Sequence, residues 1–212
     1  LMSLFLGKVH FWLYNKILWF EHLEDAIVSY ADGRGIPAAE WKQEFEAAYG
    51  EATGGRPLEE IIDQSNIHGW LQERITRAES RQAAFLTRLT AQVPGAVEEL
   101  KTLFHEHGLT AGRSYEGSTA TPESLFNGLN DYILDGMPCD RVNQIVSSEA
   151  DKFEWKMMQC VHAPVWNAVG GDVNLFYNLR HAWISGFISG ASDQYVYGAN
   201  DNNMRWIERK RA

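Results

Sequence analysis

Cys160 and His162 stand two residues apart in the run Gln-Cys-Val-His-Ala-Pro. A thiolate beside an imidazole at the start of a helix is a nucleophile with a proton acceptor at hand. A second imidazole, His181, follows. Tyr177, Asn178, His181 and Ser185 recur at helical spacing and give a helix one polar stripe, with Arg180 at its edge. Turned inward, that stripe lines a site; turned outward, it is simply solvated. Arg205 lies further on, beside Trp206. Arg180 and Arg205 are the candidates to hold an anionic group of a substrate. Trp155, Trp183 and Trp206 are the candidates for aromatic walls, in keeping with the usual make-up of a small-molecule site. The competing reading of Cys160 is a small buried core thiol.

Metal chemistry has less to work with. Asn200-Asp201-Asn202-Asn203 offers oxygens to a cation, but the same residues suit a turn. His105 and His107 do not share a helical face, and imidazoles near a helix C-terminus suit its dipole. No Cys-x-x-Cys or Cys tetrad points to structural zinc. No metal and no cofactor are expected.

The formal charge of -9 argues against a nucleic-acid partner, because phosphate contacts need clustered Lys and Arg. The basic end, Arg205, Arg209, Lys210 and Arg211, is short and reads as a solvated terminus. Cys139 and Cys160 make no disulfide framework, which suits a reducing, cytoplasmic compartment. The greasy start, Leu-Met-Ser-Leu-Phe-Leu, is interrupted by Lys8, His10, Asn15 and Lys16. It reads as an amphipathic helix and not as a signal peptide or a membrane span.

The elements that must position these groups fall into two halves of one domain, 1–110 and 111–212. Residues 4–32 have apolar positions at spacings of three and four (Leu6, Val9, Leu13, Ile17, Phe20, Leu23) and stop at Gly33-Arg-Gly35 before Pro37. A second helix spans 38–49 with Trp41 and Phe45 on one side. A third starts at Pro57 and runs on toward Val93, with a break placed near Gly69. A fourth runs from Pro94 to Gly108. Gly112–Thr121 reads as a loop. Thr121-Pro122 starts a helix that reaches Leu134. Strands follow at Arg141–Ser148 and Phe153–Gln159, then helices over 162–169 and Asn174–Ser189, the latter ended by Gly190. A hairpin of Tyr195–Tyr197 and Met204–Ile207 finishes the chain. Helices first and an antiparallel sheet with two inserted helices after them is the α+β pattern.

This layout resembles the L-2-amino-thiazoline-4-carboxylic acid hydrolase-like family. The resemblance is carried by the long helix reaching Arg34-Gly35, the strand Phe153–Cys160 ending in a thiol, the polar helix face around Asn178–Trp183 and the closing hairpin Tyr195–Ile207. It implies a cofactor-independent hydrolase that opens a small, polar, carboxylated heterocycle, a cyclic amidine or amide. Cys160 would attack the ring carbon, His162 or His181 would move the proton, and Arg180 or Arg205 would hold the carboxylate. Tyr177, Asn178, Trp155, Trp183 and Trp206 would surround the substrate. The family's closing strand often carries a second Cys; here Asn202-Asn203-Met204-Arg205-Trp206 has none, so chemistry needing two thiols is not expected. The alternative is a non-catalytic, sensor-like small-molecule-binding domain with the same aromatic pocket.

The N-terminal helix also carries Phe5, Phe11, Trp12, Tyr14, Leu18 and Trp19 outside or at the edge of its main stripe. A helix apolar most of the way round needs cover on most sides. A homo-oligomer, most simply a two-fold dimer using residues 4–20, is the expectation.

Overall fold

The computed structural model describes residues 5–211. Its helices are α1 (Lys8–Gly33), α2 (Ala38–Tyr49), α3 (Leu58–Ile61), α4 (Ile67–Gln92), α5 (Ala96–Ser114), α6 (Pro122–Leu129), α7 (Ala163–Ala168) and α8 (Val173–Ala191). Its strands are β1 (Asn143–Ser148), β2 (Lys152–Met157), β3 (Tyr195–Ala199) and β4 (Met204–Arg209). Helices fill the N-terminal half and the sheet is antiparallel throughout, so the class is α+β. The chain forms two compact units. The first takes the chain up to Pro94 with Ile133–Met137 and His162–Gly171; the second takes Gly95–Tyr132, Pro138–Val161 and the chain from Asp172 onward. Helix α5 thus belongs with the sheet. Among the described residues, no helix is long and apolar enough to cross a membrane.

In the first unit, α1 buries Leu13, Ile17, Phe20, Leu23 and Ile27. The stripe starts one turn later than the spacing suggested, since Val9 is exposed; Leu4 lies outside the described residues. Gly35, at φ 77, takes the left-handed conformation that follows the helix end. The stripe hides charge as well. Arg81 of α4 is 1% exposed, and it forks onto Glu24 (Nε to Oε1 2.9 Å, Nη2 to Oε2 3.1 Å) while Nη1 donates to the Gly50 carbonyl. Glu21 accepts from the Thr53 amide and hydroxyl. Burial raises the Glu24 carboxyl above its ordinary range despite Arg81. Trp41 and Phe45 of α2 meet Phe85 of α4 edge-on. The expected break near Gly69 falls instead at 62–66. The Asn66 side chain accepts the Gly69 amide and caps α4, so Gly69 lies inside the first turn.

In the second unit, α5 and α8 pack through glycines. A Cβ on Gly108 would lie 2.0 Å from the Trp183 carbonyl oxygen, and one on Gly112 would lie 2.1 Å from that of Phe187. From the other helix, Gly186 meets the His105 carbonyl at 2.0 Å and Gly190 that of Leu109 at 2.3 Å. Gly-x-x-x-Gly on each helix lets the two backbones touch, which any side chain would prevent. The expected helix end at Gly108 and loop from Gly112 are corrected accordingly: α5 continues to Ser114, and α8 runs through Gly190 to Ala191. Helix α6 begins as expected, with Thr121 and Ser124 capping each other, but stops at Leu129.

The sheet order is β1-β2-β4-β3. Across it, Trp155 pairs with Arg205 and Arg205 with Ala199, while Phe153 pairs with Ile207 and Ile207 with Tyr197. Directly opposed residues share a face. Phe153, Trp155, Arg205 and Ile207, with Tyr195 of the same face, are buried. Phe126 of α6 packs on this face, 4.6 Å from the Phe153 ring and 4.8 Å from that of Trp155. Strand β2 ends at Met157, so Cys160 lies in the loop beyond it and does not end the strand.

Candidate functional site

Tyr177 and His181 of the α8 polar stripe meet groups of the second unit. The Tyr177 hydroxyl donates to the Cys160 sulfur at 2.9 Å, and Cys160 is half-buried. The Arg205 guanidinium, 5% exposed, lies 5.5 Å from the centre of the Tyr177 ring. Its hydrogen-bond acceptor is the Met157 thioether, 3.5 Å from Nη2. A guanidinium carries five N–H donors and a thioether is a weak acceptor. Arg205 has no ion pair among the described residues. Tyr177 therefore touches both the thiol and a buried cation.

His181 stands one turn after Tyr177. Its Nδ1 lies 2.7 Å from the Tyr197 hydroxyl of β3, with the two rings stacked at 5.8 Å. Burial, then the charges of Arg205 and Arg180, push His181 down to about 4. It is a neutral imidazole at neutral pH. Arg180 is buried and its guanidinium lies 4.8 Å from the Phe176 ring centre.

His162 belongs to the first unit, while Cys160 belongs to the second. Its Nδ1 lies 2.5 Å from Glu79 Oε1 and its Nε2 2.8 Å from Asp135 Oδ1. Both partners are carboxylates, so the ring donates at both nitrogens as an imidazolium. Burial opposes the charge, but Glu79 and Asp135 outweigh it and raise His162 to about 9. Neither nitrogen is left to take a proton at neutral pH. Glu79 and Asp135 stand 83 and 27 residues away and carry no local signal of this role.

The remaining expected site residues disperse. Trp155, 2% exposed, lies on the sheet face of Arg205 and directly opposite it. Trp206 lies on the other face, against Gly198, with the Lys152 ammonium 5.3 Å from its ring. Trp183 lies across α8 from His181; its Nε1 donates to His107 Nδ1 and its ring stacks on Phe187. The aromatic wall expected from three tryptophans thus reduces to Trp155, joined by Tyr177 and Tyr197. Asn178 is exposed. Tyr197 was legible in principle, because strand alternation puts it on the face of Tyr195. The Asn200 side chain accepts the amides of Asn202 and Met204 and so closes the hairpin turn. Among the described residues, no group of three or more His, Cys, Asp or Glu could hold a metal ion. In the first unit, a cleft of about 240 Å³ is bordered by Glu21, Glu24 and Asp25, but Thr53 and Arg81 already engage the first two.

No family model, no curated protein and no solved structure matches the chain.

Proposed function

We propose that this protein is a cofactor-independent hydrolase that opens a small, polar, carboxylated heterocycle at a C–N bond, as its likeness to the L-2-amino-thiazoline-4-carboxylic acid hydrolase-like family implies. The observation that carries the reading is Tyr177. It joins a half-buried thiol at 2.9 Å to a buried guanidinium that has no carboxylate partner among the described residues. Cys160 is the nucleophile, and a hydroxyl aimed at sulfur is the contact a thiolate accepts. His181 is the acid/base, because it is neutral and half-buried beside the arginines. His162, tied at both nitrogens, is assigned a structural role. As sulfur bonds to the ring carbon, the thiol proton passes to His181. The C–N bond then breaks and His181 returns the proton to the leaving nitrogen. Water attacks the thio-linked carbon, and the thiol regains its proton as it leaves.

Cys160→Ala is expected to lower turnover of 2-aminothiazoline-4-carboxylate by at least about 10³-fold with an unchanged circular-dichroism spectrum. Intact protein mass spectrometry of the wild type under turnover is expected to show a Cys160 adduct. Full activity in the variant removes the thiol from the reaction. Binding without turnover in the wild type favours the sensor-like reading, which needs the guanidinium and the aromatic rings but no nucleophile.

The same protein is proposed to work as a homodimer in a reducing, cytoplasmic setting. Phe5, ahead of α1, and Val9 and Phe11 in its first turn are 80%, 49% and 39% exposed, and a second copy would cover them. Light scattering at micromolar concentration is expected to give twice the chain mass, and Val9→Glu with Phe11→Glu to halve it. A wild-type monomer sinks this assembly.

A further inference from the structure

A buried guanidinium without a counterion is costly, because desolvation removes several kcal/mol of hydration per ion and nothing nearby returns it. Arg205 is in that position. It is 5% exposed, it faces the Tyr177 ring, and among the described residues its acceptor is a thioether. Trp155 stands directly opposite it on β2, and Phe153 and Ile207 extend the same apolar sheet face. A planar carboxylate would satisfy two of the guanidinium N–H groups in a forked pair, which a lysine ammonium could not match.

We propose that a ligand carboxylate is the missing counterion of Arg205, and that its arrival is what brings His181 into use as a proton acceptor. This rests on the site described above and adds a coupling between its two halves. The groups acting on His181 are Tyr197 from β3, Arg205 from β4, and Arg180 on α8 itself. Among the described residues, neither α5 nor α6 contributes a charge that acts on it. Burial and the two guanidinium charges hold His181 near 4, too weak a base to hold a proton from a thiol. A carboxylate on Arg205 cancels much of that positive field. Binding and protonation are then linked, so each strengthens the other by the same factor. A substrate bearing the anion would thereby strengthen the base that serves Cys160.

The test uses the full chain and two flat probes whose rings cannot be opened by hydrolysis, thiophene-2-carboxylate and thiophene-2-carboxamide. Calorimetry is expected to show the carboxylate binding at least about tenfold more tightly than the carboxamide, a charge-assisted fork being the difference. Imidazole resonances of His181, assigned by comparison with His181→Gln, are expected to titrate about one pH unit or more higher when the carboxylate is bound. Arg205→Met is expected to lose both effects, and Cys160→Ala to keep both. Equal binding of the two probes, an unmoved His181 titration, or carboxylate binding that survives in Arg205→Met overturns the proposal. The comparison of probes on the wild type decides the matter even if Arg205→Met does not fold. Carboxylate binding coupled to His181 in a protein that opens no ring supports this inference and overturns only the hydrolytic reading.

Discussion

Gly186→Ala lowers the stability of the second unit, even though alanine is the better helix former. In a helix interior that exchange gains about 1 kcal/mol. Here the new methyl group would lie 2.0 Å from the His105 carbonyl oxygen and 2.9 Å from the Leu109 amide nitrogen. Both are backbone atoms of α5, so no side chain can swing aside and the helices must part. Overpacking typically costs about 1–3 kcal/mol and can cost more; two backbones in contact leave the least room to adjust. The expected net loss is about 2 kcal/mol or more, read from urea unfolding. Gly108→Ala, whose methyl would meet the Trp183 carbonyl at 2.0 Å, should behave alike. The double variant should cost less than the sum, because one separation relieves both clashes. Gly33→Ala is the control: a Cβ there meets nothing within 4 Å, and stability should be unchanged or slightly higher. If Gly186→Ala matches that control, α5 and α8 are not in backbone contact. Parting the helices would also carry Tyr177 and His181 away from Cys160 and Tyr197, so activity should fall with stability.

Loss of His162 has a larger effect on the first unit. His162→Ala leaves Glu79 and Asp135 facing each other without the cation between them. Removing one member of a buried charged group costs about 3–5 kcal/mol, because the remaining charge is left uncompensated. The sign of the pH dependence follows from the raised titration. The ring titrates at about 9 when folded and near 6.5 when unfolded. The folded protein therefore holds the proton more tightly, and the stabilisation is complete below about pH 6.5. It declines as pH rises from there and is lost above about 9. Unfolding midpoints at pH 6 and pH 9.5 should show the gap between wild type and His162→Ala narrowing with pH. A gap that stays constant would mean that the ring is neutral. Unlike Cys160→Ala, which should remove activity alone, this variant should unfold first.

The polar stripe of α8 shows how much of the candidate site can be read locally. Spacing by three and four places Tyr177, His181 and Ser185 on one helix face whatever lies beside them, and Tyr177 and His181 do meet Cys160 and Tyr197. The closing hairpin was equally legible, since alternation sorts Arg205 and Ile207 to one face and Trp206 to the other. Alternation therefore separates Trp206 from the face of Arg205. The pairing of Cys160 with His162 failed to anticipate Glu79 and Asp135. Adjacent positions say nothing about partners brought in from α4 and from Ile133–Met137.

Local pattern is enough to read the α+β order of elements, the helix start at Thr121-Pro122, the two hairpin strands and the set of chemical groups in the last quarter of the chain. These follow from period, capping and turn chemistry, which act over a few residues. The tertiary structure alone decided what Gly108, Gly112, Gly186 and Gly190 are for. A glycine is a helix breaker by propensity and a contact surface by packing, and only the approach of a second backbone selects between them. It also decided which buried charges are compensated. Glu24 has Arg81, His162 has two carboxylates, and Arg205 has a thioether. Charge pairing depends on distance in space, and residues far apart in the chain have no local pattern that records it.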